Sequence, residues 1–268
     1  MGSTDKRNIW FWQGIISPHM AGLAVALARR GCDVTYVARQ AMSDDRASQG
    51  WSPPALEGVQ LRVAESDFAA AELAASAPVD SIHLCGGLRS NGPIGAAQTT
   101  LAQRSIRQWA VIETVDDAGW LGALKRMEYS RLFHRWRERL QGVLAIGHKT
   151  PAWVAARGMP AKRVFPFAYF LPRPGLTVSG SRKQGSPYRL IFVGQLIRRK
   201  RLDLLINSLR DLASDSDGLR LTIVGNGPLE EQLRKLAAQA IPGRVDWLGS
   251  LPMEAVSAEM AQADCLGQ

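Results

Sequence analysis

The sequence predicts an α/β protein made of two Rossmann-like units, the second smaller and incomplete. Three observations carry this reading. Short apolar runs alternate with segments of helical periodicity, the pattern of parallel strands joined by crossover helices. Glycine follows or closes many of the apolar runs, at Gly14, Gly86, Gly194, Gly225 and Gly249. The pattern breaks once, between Leu171 and Pro187, where Pro172, Pro174 and Pro187 alternate with Gly175, Gly180 and Gly185. It then restarts, and 268 residues suit two domains at roughly 100–200 residues each.

The first unit spans 1–172. Its first strand is Asn8–Trp12, followed by a turn at Gln13-Gly14. A helix over Ser17–Arg30 presents Leu23 and Leu27 on its apolar face and ends at Gly31, where a helix C-cap belongs. The next strand is Cys32–Ala38. Val59–Ala64 is a strand, Phe68–Ser76 an alanine-rich helix, and Val79–Leu84 a strand running into Cys85-Gly86-Gly87. Ile94–Gln108 is a helix, Trp109–Thr114 a strand, Leu121–Leu140 a long helix and Gly142–Ile146 a strand. Pro151–Arg157 is a short helix and Val164–Ala168 the last strand. Residues 173–187 read as a linker.

The second unit spans 188–268. Tyr188–Val193 is a strand ending at Gly194, Arg201–Leu212 an amphipathic helix, and Leu219–Val224 a strand ending in Gly225-Asn-Gly-Pro228. Leu229–Ala240 is a helix with Pro228 near its first turn, where proline is tolerated. Val245–Leu248 is a strand before Gly249, and Glu254–Gln262 a helix. Three full strands are expected, with the chain stopping where a fourth would begin.

Composition narrows the function classes. Hydrophobic residues are 46% and charged residues 21%, which excludes wholesale disorder. No apolar run approaches the roughly 18 residues of a membrane span, and the polar start, Met1–Arg7, lacks a signal-peptide core. Cys32, Cys85 and Cys265 lie far apart and form no disulfide framework, which predicts a reduced, cytoplasmic protein. His19, His83, His134 and His148 make no ligand pair, so a metal site has no sequence support. The net charge of +9 permits anionic partners, with a merely solvated basic surface as the plain alternative.

The sharpest local signal is the segment from Phe192 to Leu205, Phe-Val-Gly-Gln-Leu-Ile-Arg-Arg-Lys-Arg-Leu-Asp-Leu-Leu. A strand ends in glycine, and a basic loop then enters a helix. Glycine lets a ligand approach the backbone, while a helix start and loop cations favour phosphate. Seven Lys or Arg (182, 183, 189, 198, 199, 200 and 201) occur from Arg182 to Arg201 without an acid. A solvated charge run is the plain alternative. A nucleic-acid patch is disfavoured because no aromatic residue interleaves Arg198–Arg201.

Two further segments call for a reading. Gly225-Asn-Gly227 superficially suggests a dinucleotide motif, but Glu230 occupies the third glycine position, so that reading is rejected. Trp120–Leu140 combines six cations (125, 126, 131, 135, 137 and 139) with Trp, Phe and Leu. Such a helix offers peripheral contact with an anionic membrane, including the inner membrane face; the alternative is that its apolar residues pack on the sheet.

Three blocks follow in order: Phe192-Val-Gly-Gln-Leu with Lys200-Arg-Leu-Asp-Leu-Leu, then Leu221-Thr-Ile-Val-Gly-Asn-Gly-Pro, then Gly243-Arg-Val-Asp-Trp-Leu-Gly249 with Ala263-Asp264. Together they resemble the C-terminal domain of family 4 glycosyltransferases of the GT-B fold. The resemblance implies retaining transfer from a nucleotide-sugar donor to a carbohydrate or lipid-linked acceptor, without an essential metal or other cofactor. Lys200 matches the family's phosphate-binding lysine. The family arginine falls on Gln195, leaving Arg198 or Arg199 to supply the second cation. Gly194 ends the same strand, Gly14 matches a glycine near the donor phosphates and acceptor, and Gly225 and Gly249 match strand ends lining the nucleotide side. Glu113 or Asp116 would face the acceptor. The family's Glu-x7-Glu motif falls beyond this chain's end, and the only pair here at that spacing is Glu57 and Glu65 in the first unit. The chain therefore resembles a C-terminally truncated member. A non-catalytic binding protein and, further off, a nucleic-acid-binding protein are the alternatives.

Overall fold

The computed structural model describes residues 6–47, 51–89, 91–171, 187–215 and 218–267. The expected linker therefore lies outside the described residues except for Pro187, as do Arg182 and Lys183. The chain divides into two compact units. One comprises residues 1–43 and 53–172, the other residues 44–52 and 173–268.

The first unit contains β1 (Asn8–Gln13), α1 (Pro18–Arg29) and β2 (Asp33–Ala38). The short helix α2 (Asp44–Ala47), which the sequence pattern did not reveal, belongs to the other unit. The first unit continues with β3 (Gln60–Val63), α3 (Asp67–Ser76), β4 (Ile82–Gly86), α4 (Pro93–Gln103) and β5 (Arg107–Glu113). It closes with α5 (Gly119–Trp136), β6 (Gly142–Ile146), α6 (Thr150–Ala155), a 3-10 turn over Ala161–Arg163 and β7 (Val164–Phe167). The seven strands lie in the order β3-β2-β1-β4-β5-β6-β7, all paired in parallel. Strand order reverses at β1 and β4, and ligands of such sheets bind outside the strands' carboxyl ends at that reversal.

Alternation along β1 separates two buried layers. Ile9 and Phe11 pack with Met20, Ala24 and Tyr36 on one face. Trp10 and Trp12 pack with Ala70, Ala74 and Leu101 on the other. The helices begin and end as local chemistry dictates. Ser17 caps α1 by accepting from the Met20 amide (3.3 Å), and Gly31 follows it at a φ of +87°.

Two expected boundaries are corrected. The strand expected from Val79 begins at Ile82, because Pro78–Ser81 form a turn in which the Ser81 hydroxyl donates to the Pro78 carbonyl. The helix expected to run to Gln108 stops at Gln103. Ser105 takes a left-handed φ of +57°, and the Ile106 amide returns to the Leu101 carbonyl (3.0 Å).

The second unit contains β8 (Tyr188–Val193), a 3-10 turn over Arg198–Lys200, α7 (Leu202–Asp215), β9 (Leu219–Val224), α8 (Glu230–Ala240), β10 (Val245–Gly249), α9 (Met253–Ala261) and β11 (Cys265–Gly267). The expectation of three strands is corrected by β11. It pairs in parallel with β8, giving the order β10-β9-β8-β11. Asp264 ties it there: its carboxylate accepts from the Arg189 amide and its own amide donates to the Arg189 carbonyl, both at 2.8 Å. With β11 present, β8 is an interior strand and its carboxyl end is the point where this sheet's order reverses. The core beneath joins Phe192, Leu196, Ile206, Leu221, Ile223 and Leu233.

His83 is fully buried on β4. Its Nδ1 accepts from the Trp12 indole N–H (2.8 Å), and its Nε2 lies 2.8 Å from the Ser81 hydroxyl. The first contact assigns the ring proton to Nε2, so the imidazole is neutral. Burial, reinforced by the Arg104 charge, lowers its pKa from 6.5 to about 3. A group with a depressed folded pKa supports stability above its unfolded pKa and loses that support as pH falls. We predict that unfolding free energy falls between pH 6.5 and 3 by up to about 1.4 kcal/mol per pH unit from this residue alone. Urea unfolding across that range checks it, and His83→Gln should flatten the slope.

Candidate functional site

The loops at the carboxyl ends of β8, β9 and β10 are bonded to one another. The Gly194 amide donates to the Val224 carbonyl (3.0 Å), and the Gly225 amide to the Gly249 carbonyl (2.7 Å). The Leu196 amide donates to the Asn226 carbonyl (2.8 Å), and the Leu229 amide returns to the Leu196 carbonyl (3.1 Å). Glycine is required in this interlock. A Cβ at Gly225, whose φ is +127°, would lie 2.0 Å from the Gly194 oxygen; one at Gly227 would lie 2.7–2.9 Å from Leu196 backbone atoms. The Gly-Asn-Gly sequence thus serves loop packing. Glu230, which ruled out a dinucleotide motif, forms an ion pair with Arg234 on α8 (2.8 Å).

The interlock supports a basic turn. After Gly194 and Gln195, Leu196 drops into the core and the chain folds as a 3-10 turn over Arg198–Lys200. Arg201 closes the turn in the left-handed region (φ +50°) and pairs with Asp203 (3.1 Å) as α7 begins. Lys200 is half-buried, and its Cε passes 3.7 Å from where a Cβ of Gly194 would stand. Arg198 and Arg199 are exposed. Among the described residues, none of these three cations makes a hydrogen bond or ion pair through its side chain. Three clustered cations without countercharge, at a sheet's order reversal, form a place for a polyanion.

In the first unit, Gly14 follows β1 at the corresponding reversal. It is exposed, and a Cβ there would meet nothing within 4 Å. Among the described residues, nothing requires glycine at this position. Beside it opens a cavity of about 260 Å³, walled by Trp12, Val37, Ala64 and Ile94, with Arg39 and Asn91 as polar lining. Glu113 ends β5, and its carboxylate accepts from the Tyr169 hydroxyl (3.0 Å), whose ring stacks on His19 at 4.2 Å. The sequence points to neither His19 nor Tyr169 here, because contacts among positions 19, 113 and 169 leave no local spacing signal.

Asp116 is exposed, and its carboxylate accepts from the Ala118 amide (3.2 Å) at the entry to α5. Its neighbour Asp117 is the more engaged of the two. It accepts from the Trp153 indole (3.0 Å) and from Arg157, which stacks 3.9 Å over the Trp153 ring. Burial pushes the Asp117 carboxyl up, but the Trp153 hydrogen bond and the Arg157 charge outweigh it and hold the group below the usual carboxylate range. Of the two glutamates at Glu-x7-Glu spacing, Glu57 bonds Arg29 (2.8 Å), and Glu65 is exposed beyond β3. Among the described residues, no group of three His, Cys, Asp or Glu is placed to hold a metal.

Residues 179–268 match the family model described as glycosyl transferases group 1. The fold, α/β with parallel Rossmann-like sheets, matches that of solved GT-B glycosyltransferases. The chain is similar to the apo form of the lipopolysaccharide outer core galactosyltransferase WaaB, with a TM-score of 0.63 and 15% identity, covering 97% of this chain and 73% of that one. It is similar to Anabaena HepE in complex with UDP-glucose, with a TM-score of 0.60 and 12% identity, covering 97% and 72%. A putative UDP-N-acetylglucosamine 2-epimerase from Listeria monocytogenes shares the fold at a TM-score of 0.52 and 11% identity, covering 98% and 74%. Among curated proteins, none matches the chain. Likenesses at these identities speak for fold, whereas the family-model match covers the segment that carries the basic turn.

The interlock makes a contrast that mutation can read. Gly225→Ala should destabilise the second unit by at least about 2 kcal/mol, since backbone must move to admit the Cβ. Gly14→Ala should stay within about 0.5 kcal/mol of the parent. Urea unfolding of both variants checks this.

Proposed function

We propose that the protein transfers a sugar, with retention of anomeric configuration, from a nucleotide-sugar donor to a carbohydrate or lipid-linked acceptor. The observation that carries the reading is the turn Arg198–Lys200: three side chains without countercharge among the described residues, at the reversal of a sheet, inside the segment that matches the family model. As the glycosidic bond to the donor breaks, negative charge grows on the leaving diphosphate. Cations on a backbone turn already fixed there favour that state over the ground state. In this scheme Lys200, half-buried over Gly194, faces the diphosphate. Arg199 and Arg198 supply the second charge that Gln195 lacks, and Gln195 contributes hydrogen bonds. Gly225 and Gly249 border the nucleotide, and Gly14 lets phosphate and acceptor approach the backbone. Glu113, oriented by Tyr169, is assigned to the acceptor, with Asp116 as the other acid near the same loop. The protein's own cations provide the countercharge.

A binding protein that holds the donor without turnover is the second reading. It rests on the same basic turn, Arg198–Lys200, and differs in the absence of turnover. Release of free nucleotide from a bound donor separates the two.

Calorimetric titration with UDP, GDP and their hexose conjugates tests the donor site; HepE, whose structure holds UDP-glucose, makes uridine conjugates the first choice. Binding should prefer one base. Lys200→Ala should weaken it at least about tenfold, the range of a charged hydrogen bond. Lys235→Ala, removing a cation already paired with Glu231 (2.7 Å), should change it less than about twofold. Equal effects would mean that only generic positive charge is at work.

A further inference from the structure

The helix α5 carries a surface that packing within the protein leaves unexplained. Its buried face is accounted for by Gly122, Tyr129, Phe133 and Trp136, which enter the core with Leu140 and Trp153. The sequence alone left open whether the remaining apolar residues also pack on the sheet; Leu132 packs against the core, and four others do not. Trp120 is 77% exposed, Leu121 55%, Leu124 54% and Met127 46%. Trp120, Leu124 and Met127 stand at i, i+4 and i+7, one above another on one face. The same stripe continues at i+11 and i+15 with Arg131 and Arg135, both exposed. Neither arginine has an ion-pair partner among the described residues. The helix's one acid, Glu128, is engaged with Arg89 (2.7 Å), and Glu138, just beyond its end, with Arg137 (3.6 Å).

This stripe is held rigidly. Gly122 admits the preceding loop so closely that a Cβ there would meet the Asp117 carbonyl at 1.8 Å. Lys125 donates to the Asp116 carbonyl (2.9 Å) and Arg126 to that of Asp117. Asp117 is itself clamped by Trp153 and Arg157. The exposure of Trp120 therefore belongs to an anchored helix start.

The geometry points to α5 as a docking surface for an anionic lipid bilayer. The apolar half of the stripe enters the interface, with Trp120 at headgroup depth, and Arg131 and Arg135 meet lipid phosphates. A second copy of the chain fits this stripe poorly. Antiparallel pairing sets arginines against apolar side chains, and parallel pairing sets arginine against arginine. The bilayer supplies both chemistries at once. This surface is independent of the donor site, so its test needs neither donor nor acceptor.

The test is flotation of the 268-residue chain with vesicles of phosphatidylcholine alone or with 30% phosphatidylglycerol. The protein should float with the anionic vesicles, and rising salt should weaken the association. Trp120→Ser with Leu124→Ser should lower partitioning at least tenfold, and Arg131→Glu with Arg135→Glu should do so separately. Both pairs alter exposed side chains, and unchanged thermal unfolding confirms that they fold. Failure of the parent to float, undiminished flotation of both variants, or concentration-dependent self-association that the serine variant abolishes without vesicle binding would each overturn the proposal.

Discussion

Backbone packed against backbone at the strand ends is the constraint on which the second unit depends. Gly225 lies so close to Gly194 that a single added carbon has no place, and Gly227 stands in the same relation to Leu196. Because these contacts are made by main chain, they help fix the loop after β8 without using the side chains of residues 198–200. Leu196 anchors the loop below and Arg201, turned left-handed, starts α7. The cations at 198–200 remain available. A protein that binds a diphosphate needs charge held in place before the ligand arrives, because ordering flexible lysines and arginines on binding costs affinity.

The first unit solves a related problem with side chains. Its loops are held by long-range polar contacts: Arg157 and Trp153 on Asp117, Tyr169 on Glu113, and Arg104 on the carbonyls of Ala74 and Ala77 (2.7 and 2.8 Å). The Trp12–His83–Ser81 chain does the same inside the sheet, where a neutral imidazole satisfies two partners. Both units place their exposed chemistry at carboxyl ends of parallel strands, where loops are free to vary while the sheets keep them in register.

Much of the fold was legible because its signals are local. Alternating apolar runs placed the sheet strands of the first unit, and Gly31 marked the end of α1. The basic turn was equally legible, since four consecutive cations after a glycine-ended strand stand out in any reading. The errors have local causes as well. Helical composition continues through Arg104 and Ser105, yet a left-handed residue ends α4. Strand β11 escaped notice because three residues carry no periodicity, and what creates it is Asp264 reaching the backbone of Arg189, 75 positions away. In the same way, nothing in the sequence joins His19 and Glu113 to Tyr169, or separates the exposed Leu124 from the buried Phe133 on one helix. Those distinctions follow from the docking of whole elements.

Amide hydrogen exchange with and without a uridine or guanosine diphosphate sugar tests most directly whether the basic turn is the donor site. Protection concentrated in residues 194–201, and lost in Lys200→Ala, is the result this account predicts. Binding that leaves those amides unchanged while protecting another region would contradict it.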